Sequence, residues 1–141
     1  MELVEELLQK YNSPKRINKA STNIGQIENI INFKLPHDYK IFILNYGGFE
    51  NSIGPEYVRL WDFDNLMEQN IGYQIFENLP KTLAIGGNGG GEFIAIEQID
   101  NEILRVVLSP FIDLDRQYHI DIGSSFTNFL ERLDKGQQWF K

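Results

Sequence analysis

Cysteine is absent from the 141-residue chain. That removes disulfides, thiolate nucleophiles and thiolate metal sites together, and it fits a reducing compartment. Histidine occurs only at positions 37 and 119, which leaves no basis for a zinc site built from His and Cys. No apolar run approaches the roughly 20 residues that a membrane span requires. Met1 to Glu6 is amphipathic and acidic, unlike the basic start and hydrophobic run of a signal peptide. The sequence therefore predicts no signal peptide, no span and a cytoplasmic location. No Asn-X-Ser/Thr sequon is present, so nothing suggests glycosylation.

Basic residues are also scarce. Thirteen Lys plus Arg stand against twenty Asp plus Glu, a net charge of −7. The balance is uneven: residues 1 to 40 hold five acids and six bases, whereas residues 41 to 141 hold fifteen acids and seven bases, net −8. A field of that sign repels nucleic acid phosphates and anionic lipid and speeds encounter with a basic partner. Otherwise the composition is that of an ordinary globular domain, with 42% hydrophobic and 23% charged residues. The length suits one domain over residues 1 to 141 with one core.

Periodicity divides the chain into recognisable elements. Leu3, Val4, Leu7, Leu8 and Tyr11 predict an amphipathic helix over 2–11. Asn23, with Gln26 three residues on, predicts the N-cap of a second helix whose Ile24, Ile27, Ile30 and Ile31 share a face. Pro36 suits the first turn of a third helix carrying Tyr39, Phe42, Ile43 and Tyr46, with Gly47-Gly48 as its left-handed stop. Residues 57–61 then read as a strand. Asp62 or Asp64 caps a helix through Leu66, Met67, Ile71 and Ile75, which Gly72 weakens. Strands follow at 82–85, 92–97, 103–108 and 118–122, and Ser124 or Ser125 caps a last helix with Phe126, Phe129, Leu130 and Leu133 on one stripe. The predicted class is α+β, a mainly antiparallel sheet covered on one face and packed by N-terminal helices and a C-terminal helix.

Several local patterns invite a chemical reading and fail on spacing. The run Gly86-Gly87-Asn88-Gly89-Gly90-Gly91 could offer backbone N–H groups to a phosphate. A Walker loop, however, needs Lys and then Ser or Thr where Glu92 and Phe93 stand, and a dinucleotide fingerprint must lead into a helix, not a strand. A hairpin turn or bulge needing positive φ accounts for the glycines. The pairs Asp62-Phe63-Asp64 and Asp113-Leu114-Asp115 continue into no calcium loop. Gly123-Ser124-Ser125-Phe126 lacks the second glycine of a hydrolase elbow. Neither a catalytic residue, a metal site nor a cofactor is expected.

A familiar order of motifs emerges instead. Ile27-Glu28 in a helix, Leu35-Pro36-His37-Asp38-Tyr39-Lys40, a hydrophobic stretch to Asn45-Tyr46-Gly47-Gly48, and later Gly89-Gly90-Gly91-Glu92-Phe93 together resemble the SUKH superfamily, SMI/KNR type. The similarity spans about residues 20 to 134 and includes the closing helix with Phe126 and Phe129. It implies an α+β fold and a binding role. Many bacterial members are immunity proteins that neutralise a cognate toxin, often a nuclease, while fungal relatives serve as interaction scaffolds. The expected partner is thus a basic protein toxin, met by Tyr57, Trp61, Asp62, Asp64, Glu92, Asp113 and Asp115. A regulatory or scaffolding interaction module is the alternative reading, and a small-ligand or catalytic domain the third.

Overall fold

The first helix, α1 (Leu3–Lys10), buries Val4, Leu7 and Leu8, the stripe its spacing anticipates. In α2 (Ile24–Ile31) the Asn23 side chain accepts from the Gln26 N–H, so the cap forms where the sequence places it. Ile27 and Ile31 of α2 are buried, whereas Ile30 is exposed. One residue is a turn of about 100°, and Ile30 falls off the covered face. Pro36 serves α3 (His37–Asn45) as its N-cap (φ −70°, ψ 151°), one place earlier than expected. Tyr39, Phe42, Ile43 and Tyr46 are all buried. The chain leaves α3 at Tyr46, which turns extended and bridges Lys15, before either glycine. Gly48 alone of the pair takes a positive φ, and a Cβ there would lie 3.4 Å from the Leu60 carbonyl oxygen. Gly48 therefore shapes the start of the sheet and does not stop the helix. This computed structural model describes residues 1–140.

The sheet opens with a strand the sequence did not announce, β1 (Phe49–Ile53), paired antiparallel with β2 (Glu56–Leu60). Glu50, Asn51 and Ser52 are poor strand formers. Burial of Phe49 and Ile53 and the hairpin partner supply what propensity lacks. A 3-10 turn at Phe63–Asn65, capped by Asp62, leads into α4 (Leu66–Gly72) and α5 (Ile75–Asn78). The single helix expected here breaks after Gly72, at Gln74 in the left-handed region (φ 60°). Then follow β3 (Thr82–Gly87), β4 (Glu92–Asp100), β5 (Ile103–Pro110), a second 3-10 turn at Arg116–Tyr118, and β6 (Ile120–Gly123). Ser125 caps α6 (Phe126–Asp134) by accepting from the Asn128 N–H. The six strands lie side by side in sequence order, all antiparallel, and the fold is α+β as the sequence predicts.

One face of the sheet presents Leu83, Ile85, Ile94, Ile96, Val106 and Leu108 to the core that α1, α2, α3 and α6 close. Full burial of each such side chain contributes about 1.5–3 kcal/mol. Tyr39, Phe42 and Phe126 meet ring to ring there, with centroids 5.2 to 6.1 Å apart. The other face is not left bare, contrary to the sequence expectation. Ile75 and Leu79 pack on Ala84, Phe93, Ala95 and Val107, because the two alanines leave room for α5 to lie close to the strands. Asn70 of α4 completes this layer. Its amide accepts from Ala84 N–H (2.8 Å) and donates to Ala84 C=O (2.9 Å), taking the place of a neighbouring strand.

Two of the six clustered glycine-run residues belong to strand, not turn. Gly86 sits beside a register shift in β3, and a Cβ there would lie 1.9 Å from the Arg59 carbonyl oxygen. Close approach of β2 therefore demands glycine at 86. The turn proper is Asn88 to Gly91, in which Gly89 holds φ +78°.

Candidate functional site

Where β2 leaves the sheet it meets the β3–β4 turn, and between them opens a cleft. Arg59, Trp61, Tyr73, Gly89, Glu92 and Phe111 line it. A second depression, reaching Glu50, Asp62 and Asn65, joins it at Arg59 and Trp61. An aromatic row forms the floor: Trp61 lies parallel to Tyr73 (6.4 Å, 8°), Tyr73 meets Phe111 at 4.4 Å, and Phe111 meets Phe93 at 5.2 Å. Tyr73 stays substantially exposed. Such amphipathic rings give large contact area at small entropic cost.

The seven residues expected from sequence divide here. Trp61 and Glu92 share the cleft. The Glu92 carboxylate accepts from Asn88 Nδ2 at 2.7 Å, which fixes it on the turn. Tyr57 stands at the rim, its ring against Gly89 and its hydroxyl donating to Glu50, which raises the phenol above its ordinary range. Asp62 faces the second depression and pairs with Arg16 at 2.5 Å. Asp64 has a structural task. It accepts from Thr22 Oγ1 (2.6 Å), Thr22 N (2.8 Å) and Ser21 N (3.0 Å), stapling that segment to the start of α4. The Thr22 hydroxyl, helped by the Thr22 and Ser21 N–H groups, outweighs partial burial and holds this carboxyl below the usual range. Asp115 caps the second 3-10 turn through the Gln117 N–H, which likewise lowers its carboxyl. Asp113 is exposed on the same loop, and neither it nor Asp115 lines the cleft.

Sequence reasoning missed Arg59, Tyr73 and Phe111. It also missed a buried charge cluster on the second face of the sheet. Glu97 of β4 is fully buried, with Arg105 Nε at 2.6 Å, His119 Nδ1 at 2.9 Å and Arg116 Nε at 3.4 Å. Burial alone would raise the Glu97 carboxyl; hydrogen bonds from His119 and Arg105 overcome it and keep the group below its ordinary value. Half of this cluster was legible in principle. Folding the 92–97 and 103–108 strands symmetrically about Asn101 sets Glu97 opposite Arg105, the register observed. His119 and Arg116 come from a separate connection, which no strand spacing indicates. Among the described residues, no three His, Asp or Glu side chains converge as a metal site would need, and no helix is long and apolar enough to cross a membrane.

No curated protein matches the chain. The sequence model of the SMI1 / KNR4 family (SUKH-1) matches residues 20–132, which takes in every strand, α2 to α5, the whole cleft and the Glu97 cluster. With that match over most of its length, and an α+β fold whose helices and glycine turn carry the motifs noted in the sequence, the chain belongs to the SMI1 / KNR4 family (SUKH-1).

Proposed function

We propose that the chain is an immunity protein: it binds a cognate protein toxin in the cytoplasm and neutralises it by contact, without catalysis. A basic nuclease is the toxin its charge suits best. The observation that carries this reading is the cleft at the β3–β4 turn, where a partly exposed row of Trp61, Tyr73 and Phe111 is rimmed by Glu50, Asp62 and Glu92. Aromatic anchors in a pocket supply most of the affinity of an interface, and surrounding carboxylates supply association rate and selectivity towards a basic partner. Family membership supports a binding role, and the net −8 after residue 40 supports the sign of the partner. In this reading Trp61 and Glu92 lie at the centre of the interface with Tyr57 and Asp62 at its rim. Asp113 and Asp115 add to the field, and Asp64 supports the surface from behind.

Co-expression with the toxin encoded beside the gene tests the proposal. Wild type restores growth and forms a one-to-one complex whose association slows as salt rises. The Trp61→Ala/Tyr73→Ala variant stays folded and loses affinity by about 30-fold or more, the scale of one lost anchor. Absence of protection by wild type, or full protection by the folded double variant, refutes the reading.

A further inference from the structure

The two edges of the sheet are finished differently. At the β1 edge the chain closes on itself: the Ser13 hydroxyl donates to Gly48 C=O and Asn51 Nδ2 donates to Tyr11 C=O. At the far edge β6 pairs with β5 alone, and among the described residues its backbone makes no hydrogen bond to any other element. Beside that open edge runs a groove lined by Ile120, Ile122, Leu133, Trp139 and Phe140, with Asp121 and Arg132 at its border. Tyr118, Ile120 and Phe140 remain exposed around it. Trp139 is more than nine-tenths buried, yet among the described residues its indole N–H has no acceptor. A buried donor left without an acceptor is rare in native structures and signals a missing partner.

We infer that β6 and this groove are a docking site for an extended segment of a protein partner, which adds a seventh strand to the sheet and carries a Lys or Arg opposite Asp121. Strand addition uses the free backbone groups of an open edge for affinity and side-chain pockets for selectivity. Here Ile120, Ile122 and Phe140 receive apolar side chains, and a carbonyl of the added segment becomes the acceptor for Trp139. Charge decides against a second copy of the chain as the occupant. In a strand of four residues, the antiparallel self-pairing centred on Asp121 sets its two carboxylates directly opposite and the one centred on Ile122 sets them diagonally on one face, and only the pairing of Ile120 with Gly123 sends them to opposite faces. Like charges that meet on one face destabilise a strand pair, and each copy brings a net −7. A basic residue at that position gains what a second Asp121 would lose, because Asp121, although it accepts from the Gly123 N–H at 3.0 Å and meets Arg132 at 3.4 Å, stays half exposed.

The inference is independent of the toxin reading, since β6 and the Trp61 cleft lie at different strands of the sheet. Its test uses the full chain and two capped nine-residue peptides that alternate threonine and valine, one with lysine and one with glutamate at the centre. Binding is followed by the amide spectrum of the isotope-labelled protein. The lysine peptide should shift and protect the amides of 120–123, move the Trp139 indole N–H downfield, and bind better than the glutamate peptide. Asp121→Lys should reverse that preference, changing each affinity by roughly fivefold. Trp139→Phe, which keeps the packing and removes the donor, should weaken the lysine peptide by about threefold. Spectral dispersion shows that each variant is folded. The inference is overturned by saturable shifts confined to the Trp61 cleft, by no saturable shift at all, or by protection of 120–123 through concentration-dependent dimerisation without peptide. Loss of toxin protection in Trp61→Ala/Tyr73→Ala bears only on the cleft.

Discussion

Removing the Glu97 carboxylate tests how the second face of the sheet is held together. The side chain is fully buried and faces Arg105 at 2.6 Å, His119 at 2.9 Å and Arg116 at 3.4 Å. In Glu97→Ala the buried imidazole of His119 loses the one hydrogen bond its ring makes among the described residues, where Nε2 has no partner. Arg105 and Arg116 are partly exposed and can turn to water, so the penalty falls chiefly on His119 and on the cavity left between β4 and β5. Breaking a buried charged pair by deleting one member costs about 3–5 kcal/mol. For a chain of this length that corresponds to a fall in melting temperature of roughly 10 °C or more. Thermal and urea unfolding at neutral pH, followed by circular dichroism, measure it.

The pH dependence adds a sign. Hydrogen bonds hold the folded-state Glu97 carboxyl below its ordinary value of 4.5. Its contribution is therefore fully present above that value and is lost as pH falls through the depressed folded-state value. The gap between wild type and Glu97→Ala should be constant above about pH 5 and should narrow in strong acid. A variant melting within a few degrees of wild type at pH 7, or a gap that widens on acidification, refutes the account of this cluster as a stabilising network.

Two further substitutions examine how β3 is seated. Gly86→Ala places a Cβ 1.9 Å from the Arg59 carbonyl, so β2 must lift away; a loss of about 3 kcal/mol in urea unfolding is expected, and a neutral outcome rejects the close approach. Asn70→Ala leaves both backbone groups of Ala84 unpaired in a buried layer, which should cost about 3 kcal/mol. Hydrogen exchange at the Ala84 amide should accelerate far beyond that of Ile94 in the core, and equal protection in variant and wild type would reject the role given to Asn70.

The helices were legible because their signals are local. Asn23 with Gln26, and Ser125 ahead of Phe126, satisfy the first N–H groups of their helices from within a few residues. The stripes on α1, α3 and α6 record which side is buried, since 3.6-residue periodicity needs no knowledge of the partner. The four strands from β3 to β6 were visible for a similar reason: runs of Ile, Val, Leu and Phe suit a pleated, buried surface. Even the α+β class followed, from helices at both ends and strands between them.

Tertiary structure decided the rest. β1 is a strand because β2 pairs with it, not because Glu50, Asn51 and Ser52 favour extended backbone. Gly86 is glycine because another strand's carbonyl occupies the space of a side chain, a cause invisible in a run of like residues. The cleft joins Trp61 from the end of β2, Tyr73 after α4, Glu92 at the start of β4 and Phe111 after β5. The acidic residues chosen from sequence show the same limit: Asp64 and Asp115 satisfy neighbouring backbone N–H groups, while Glu97 gathers Arg105, Arg116 and His119 beneath the surface. A carboxylate announces its charge in the sequence, but only packing decides whether that charge meets solvent, a cap or a buried cation. The sequence by itself thus determined most of the elements, the family resemblance and the sign of the field; the folded chain decided the first strand and which side chains share a site, because those neighbours are distant in the chain and adjacent only after the sheet has formed.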